Sequence, residues 1–196
     1  HIVLVCQSPG DADFITSEFN SSTIEVVGAP EAFQSGHYIL VDTPDIDSTH
    51  QHLHQRLVSD VIDKADVLVC MFNVENPKTR DHVDFFGNYA QRFDGASLIG
   101  VLNKCDRVDE SELKGYIIPE FQDYIAKAWM RPLSSLFCIS ARRNLKRPNW
   151  DNNAEPKHEF DQYPSLEQLL KDVSSLTNAT IERRVKNAQQ MASFIS

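Results

Sequence analysis

Residues 96–106 read ASLIGVLNKCD, and this stretch decides the fold class. Its first part is a nearly unbroken apolar run of strand length, the pattern of a strand covered on both faces, as in parallel sheets. It ends in a polar turn, Asn103, Lys104 and Asp106 around the single thiol of Cys105. Working outward, the same arrangement recurs. DVLVCMFNV (66–74) and LFCIS (136–140) are further short apolar runs, and HIVLVC (1–6), STIEVVG (22–28) and HYILVD (37–42) are three earlier ones rich in β-branched residues. Between them lie amphipathic stretches. After Pro44, HQHLHQRLVSDVIDKA sets Leu53, Leu57, Val58, Val61 and Ile62 at the offsets of one helical face. Further helices are expected from about Lys78 to Gln91 and from about Glu110 to Trp129.

Strands alternating with helices predict an α/β fold with three layers, a mostly parallel sheet with helices on both faces. A single domain over residues 1–196 is the expectation from length. RPNWDNNAEPKHEFDQYP (147–164) has three prolines and no periodicity, so it reads as a surface loop. Pro164 and Ser165 then open a helical segment, 165–196. After the first strand no helix of normal length is visible, and the abrupt start at His1 reads as an excised chain.

The 41% hydrophobic and 24% charged composition is that of a globular protein, and no apolar run reaches the ~20 residues of a membrane span. A net charge of -9 speaks against a general nucleic-acid surface, which requires clustered Lys and Arg. Cys6, Cys70, Cys105 and Cys138 lack metal-ligand spacing and fall mostly in apolar runs, so free thiols in a reducing, cytoplasmic setting are expected. Of His37, His50, His52 and His54, the last three are spaced H-x-H-x-H and would diverge on the expected helix, which argues against a metal cluster. The sequons at Asn20 and Asn178 carry no weight without a signal peptide.

Ligands of open parallel sheets gather at the carboxyl ends of the strands. Three of those ends carry distinctive residues here: HYILV ends in DTPD (42–45), SLIGVL in NKCD (103–106) and LFCI in SAR (140–142). In order and spacing these resemble the G3, G4 and G5 motifs of the P-loop GTPase superfamily. VDTPDIDS, with the His-containing helix and ADVLVCMFNVENPKTRDHVDFF after it, is similar to bacterial dynamin-like large GTPases over roughly residues 37–145.

The resemblance implies a G domain binding GTP/GDP and Mg²⁺ and hydrolysing GTP to GDP and phosphate. It further implies self-association or peripheral membrane action through segments outside this chain. Each position of NKCD then has a task. The Asp106 carboxylate can accept both the ring N1–H and the exocyclic amine of guanine, whereas adenine would face it with an acceptor. Asn103 would tie neighbouring loops together, the Lys104 stem would lie along the base, and Cys105 would pack. Ser140 would brace the loop while the Ala141 N–H meets guanine O6. Asp42 is the Mg²⁺ position, reached through water. Thr43, Pro44 and Asp45 form the phosphate-side switch loop, and Asp47 or Ser48 start the next helix.

Two departures stand out. Asp45 occupies the position where the family has Gly, and its charge would repel phosphate. No G-x-x-x-x-G-K-[ST] cradle occurs, and no Lys or Arg precedes Arg56. If HIVLV is the first strand of the fold, CQSPGDAD stands in the cradle's place and the domain is an inactive pseudo-GTPase serving as an interaction module. If HIVLV is the second strand, the cradle lies upstream of His1, and this is the favoured reading. No residue is assigned to orient the attacking water; Thr16 and Thr23 are the only switch-Thr suggestions.

Overall fold

The structure, a computed structural model, describes residues 2–17, 24–30, 38–43, 51–144, 160–175 and 177–195. The chain divides into two compact units, residues 1–65 with 170–180, and residues 66–169 with 181–196.

The first unit contains a three-stranded sheet ordered β2-β1-β3, from β1 (Ile2–Cys6), β2 (Ile24–Gly28) and β3 (Leu40–Asp42). Strict alternation along β1 buries Ile2, Leu4 and Cys6, which join Ala12 and Val61 in a core flanked by Ile24, Val26, Ile39 and Val41. A 3₁₀ turn, Pro9–Ala12, leads into the four-residue α1 (Asp13–Thr16). The acids of CQSPGDAD have a local task here: Asp11 accepts the Ser8 N–H at 2.9 Å while the Ser8 side chain caps in return. That reciprocal box satisfies donors left open at a helix start. The helix α2 (Gln51–Ile62) forms as its periodicity predicts, with Val58, Val61 and Ile62 buried.

β1 runs parallel to β2 but antiparallel to β3, with Val3 opposite Asp42 and Val5 opposite Leu40. Most pairings are parallel, as expected, and β3 is the antiparallel exception. The register has a direct consequence. Cys6, where β1 ends, and Asp42, where β3 ends, stand at opposite edges of the sheet, three residues or about 10 Å apart along the strands.

The second unit contains the parallel sheet β4-β5-β6, from β4 (Leu68–Asn73), β5 (Leu98–Asn103) and β6 (Ser135–Cys138). β5 is central, and every residue from Leu98 to Leu102 is buried, as its unbroken apolar run requires. The crossovers are α3 (Arg80–Ala90) and a helical stretch made of α4 (Glu110–Glu112), a π turn (Leu113–Ile117) and α5 (Ile118–Ala128). Pro119 lacks the N–H that an α-helix would direct at residue 115, and the wider turn precedes it.

Trp129 locks this unit. Its ring is buried, its Nε1–H donates to the Val83 carbonyl at 2.8 Å, and Phe72 and Phe121 pack edge-to-face at 4.8 Å nearby. Gly87 makes room for the indole, since a Cβ there would lie 2.9 Å from Trp129 Cδ1. Short α6 (Ala141–Asn144), then α7 (Tyr163–Ser175) and α8 (Thr177–Ile195), complete the chain. Within the second unit, α8 grips the amino ends of the strands: Arg184 pairs with Asp66 at 2.5 and 3.2 Å, and Asn187 Oδ1 accepts the Asp94 N–H at 2.8 Å.

Candidate functional site

Parallel pairing of β5 with β6 brings the turn after Asn103 beside the turn after Cys138. The backbones are laced together before any side chain acts. The Ile139 N–H donates to Leu102 O at 2.8 Å, and the Cys105 N–H donates to Ile139 O at 3.1 Å. Lys104 adopts a left-handed conformation, φ 66° and ψ 29°. For a residue with a side chain this costs roughly 1–2 kcal/mol, and it turns the chain sharply enough to bury Cys105 while leaving Asp106 half-buried.

Asn103 then joins the two loops. Its Oδ1 accepts the Lys104 N–H at 2.7 Å and the Ala141 N–H at 3.1 Å. Ser140, only 3% exposed, donates its hydroxyl to Asp106 Oδ1 at 2.7 Å. The five residues Asn103, Lys104, Asp106, Ser140 and Ala141 thus converge on one edge of the parallel sheet. A carboxylate oxygen accepts at two lone pairs, so the Ser140 contact orients Asp106 and leaves it able to accept two donors from a planar partner. The Ala141 N–H, assigned on sequence to a ligand oxygen, is held by Asn103 in this structure.

Cys105 fills the floor of this turn. Its thiol donates to Leu102 O at 3.2 Å, and its pKa is pushed up by a hydrogen bond with the Cys138 thiol and by burial. It stays protonated and packs. At the rim, Arg107 pairs with Glu75 at 2.7 Å, and Glu75 donates its N–H to Asn73 Oδ1 at 3.2 Å, drawing the turn after β4 to the same edge.

Asp42 ends β3 with its side chain exposed, in the first unit, and Thr43 follows it. Pro44, Asp45, Asp47 and Ser48 lie outside the described residues, as do Thr23, His37 and His50. Thr16 closes α1, where its hydroxyl donates to Asp13 O at 3.1 Å.

Residues from the stretch read as a plain surface loop also reach the site. Gln162 brackets Cys138, donating its N–H to Cys138 O at 2.9 Å and accepting the Cys138 N–H on Oε1 at 2.8 Å. Asp161 accepts from the Ser140 N–H, the Asn144 amide and the Tyr163 N–H. The usable signal was an Asp two residues before the helix start at Tyr163, where its carboxylate can accept the N–H two residues on, as in an Asx-turn.

Fold and site together define the chain as an α/β protein whose parallel three-stranded sheet carries, at its carboxyl edge, a carboxylate braced by a serine and two loops tied by one asparagine. No family model matches the chain. It is similar to a protein of Caldicellulosiruptor sp. (strain Rt8B.4) described as "Uncharacterized protein in xynA 3'region", 33% identical over 124 residues, which are 63% of this chain and 30% of that protein. Among solved structures it is similar to "LeoA bacterial dynamin GTPase from ETEC", with a TM-score of 0.46 and 16% identity, over 88% of this chain and 30% of that one. The chain thus spans 30% of the length of each.

Proposed function

We propose that this chain is part of a dynamin-like G domain that binds guanine nucleotides and hydrolyses GTP to GDP and phosphate. The observation that carries the reading is the closure of NKCD onto SA: Asn103 holds Ala141 at 3.1 Å while Ser140 holds Asp106 at 2.7 Å. Four motif residues distant in sequence become one edge with a purine-sized task. Asp106, oriented by Ser140, accepts the N1–H and amine of guanine. Ala141 shares its N–H between Asn103 and guanine O6. Hydrogen bonds to a charge contribute roughly 1.5–3 kcal/mol each, so adenine, which presents no such donor pair, is rejected.

Asp42 is assigned to Mg²⁺. A carboxylate at a strand end is a hard oxygen donor and fits that ion. When bound, the ion supplies charge neutralisation at the phosphate oxygens. In this reading residues 7–14 do not serve as the phosphate cradle, and two observations support that. Asp11 there is engaged in capping Ser8, and the turn leaves the sheet at the edge opposite Asp42. The pseudo-GTPase alternative rested on that turn standing in the cradle's place, so the GTP-hydrolysing reading is preferred. Self-association and peripheral membrane action are proposed to act through segments other than these residues.

The test is phosphate release from GTP and from ATP by the intact protein with Mg²⁺, and by Asp42→Ala. The expected result is GTP-specific release that falls ~10²–10³-fold in the variant, the scale of losing one preorganised electrostatic partner. Binding of GTP without any release would favour the inactive module. Equal release from ATP would overturn the base assignment.

A further inference from the structure

The segment Phe160–Tyr163 has no part in the motifs, yet Asp161 and Gln162 within it are bonded to the turn that carries Ser140. Phe160 receives the Lys114 ammonium on its ring face, 4.4 Å from the centroid. Gln162 bonds both backbone groups of Cys138, donating its N–H to the carbonyl and accepting the N–H on its side-chain Oε1. Between them, Asp161 gathers three donors: the Ser140 N–H on Oδ1 at 3.4 Å and the Asn144 amide on Oδ2 at 2.9 Å from the turn after β6, and the Tyr163 N–H on Oδ1 at 3.1 Å from its own segment. Asn144 in turn donates to the Ser140 carbonyl at 3.0 Å.

Ser140 is therefore held from both sides. Asp106 takes its hydroxyl and Asp161 its N–H. Ser140 is buried, so water cannot readily replace Asp161 there, and a buried N–H left unpaired is unfavourable. The next residue is Ala141. Its N–H direction is fixed by the same peptide chain that Asp161 and Asn144 anchor.

We propose that Asp161 is a positioning residue that sets the Ser140–Ala141 turn so that the Ala141 N–H meets the 6-oxygen of a guanine base. The proposal rests on the guanine reading above. It separates two contributions to base recognition. Asp106 reads the N1–H and 2-amino side of the ring, whereas Asp161, acting through Ala141, governs only the 6-position.

Nucleotide analogues distinguish these. IDP lacks the 2-amino group; 6-thio-GDP keeps both donors of the Asp106 side and replaces O6 with sulfur, a weak acceptor. Equilibrium affinities of the intact protein for GDP, IDP, 6-thio-GDP and ADP would be measured for wild type, Asp161→Asn and Asp161→Ala. Asp161→Asn is the milder change, since it keeps one acceptor oxygen but confronts the Asn144 amide with a second donor. In wild type, GDP is expected to bind about five- to tenfold tighter than 6-thio-GDP, the scale of one neutral hydrogen bond. In both variants that ratio falls toward one and GDP binding weakens roughly tenfold, while the GDP to IDP ratio is retained.

Unchanged ratios with a lowered unfolding midpoint would show that Asp161 only caps α7, which overturns the proposal. Loss of both ratios together would also overturn it, because the two sides of the base would not be separable. Wild-type protein that binds ADP as well as GDP would overturn the guanine reading itself, a failure recognisable before any variant is made.

Discussion

Asn103→Ala removes one oxygen that serves two loops. In the structure Oδ1 accepts the Lys104 N–H at 2.7 Å and the Ala141 N–H at 3.1 Å, and both donors belong to half-buried residues. A typical hydrogen bond contributes about 1 kcal/mol net, and a buried donor left unpaired loses up to ~3 kcal/mol. Because both residues are half accessible, water recovers part of that, and the total for two donors is ~2 kcal/mol. Lys104 adds to this. Its left-handed conformation depends on the side-chain contact that Asn103 provides immediately before it. The assay is urea unfolding followed by circular dichroism; with a slope of ~2 kcal/mol per molar for a small protein, the midpoint should fall by ~1 M. Asn103→Asp keeps the acceptor at the same place, so its midpoint should stay within ~0.3 M of wild type. Equal midpoints for wild type and Asn103→Ala would refute the claim that this oxygen joins the loops.

Three further outcomes follow from the packing. Gly87→Ala would place a methyl 2.9 Å from an indole that cannot retreat without losing its 2.8 Å bond to Val83 O, so thermal unfolding should show a loss of ~1–3 kcal/mol, while Gly115→Ala, with open space around it, should show no clash. Cys70 is fully buried and its thiol is pushed far above its ordinary 9.0, so above pH ~9 the unfolded chain loses a proton that the folded one keeps. Its stabilising share is complete below that pH and declines by up to ~1.4 kcal/mol per pH unit above it, a slope that urea titrations of Cys70→Ala should show reduced. In α8, Asn187→Ala should lower stability by ~1 kcal/mol in the same titration because it serves the Asp94 N–H, whereas Arg184→Ala, an exposed ion pair with Asp66, should lower it by less than that.

The parallel unit was legible in sequence because its signals are local. Unbroken apolar runs gave β4, β5 and β6 within two residues at most ends, and helical periodicity gave α2 and α3. The meeting of Asn103, Asp106, Ser140 and Ala141 was legible too, since chemistry at strand ends follows from parallel order alone. Strand direction was not. Nothing in HYILVD says that β3 runs against β1, because orientation depends on a distant partner rather than on propensity. CQSPGDAD stood in the cradle's place only in the less favoured reading, and its Asp11 serves a local capping box with Ser8 that was not foreseen from sequence. Asp161 and Gln162 went unnoticed as site residues because their bonds reach Ser140 and Cys138, more than 20 residues away, from a stretch without periodicity.

Base selectivity at Asp106 is the claim on which the functional account turns. Equilibrium binding of GTP and ATP by the intact protein and by Asp106→Ala measures it most directly. The account predicts that wild type prefers GTP by ~10² or more, and that the variant loses most of its GTP affinity while ATP binding changes little, so the preference disappears. GTP bound equally well by wild type and Asp106→Ala would contradict it.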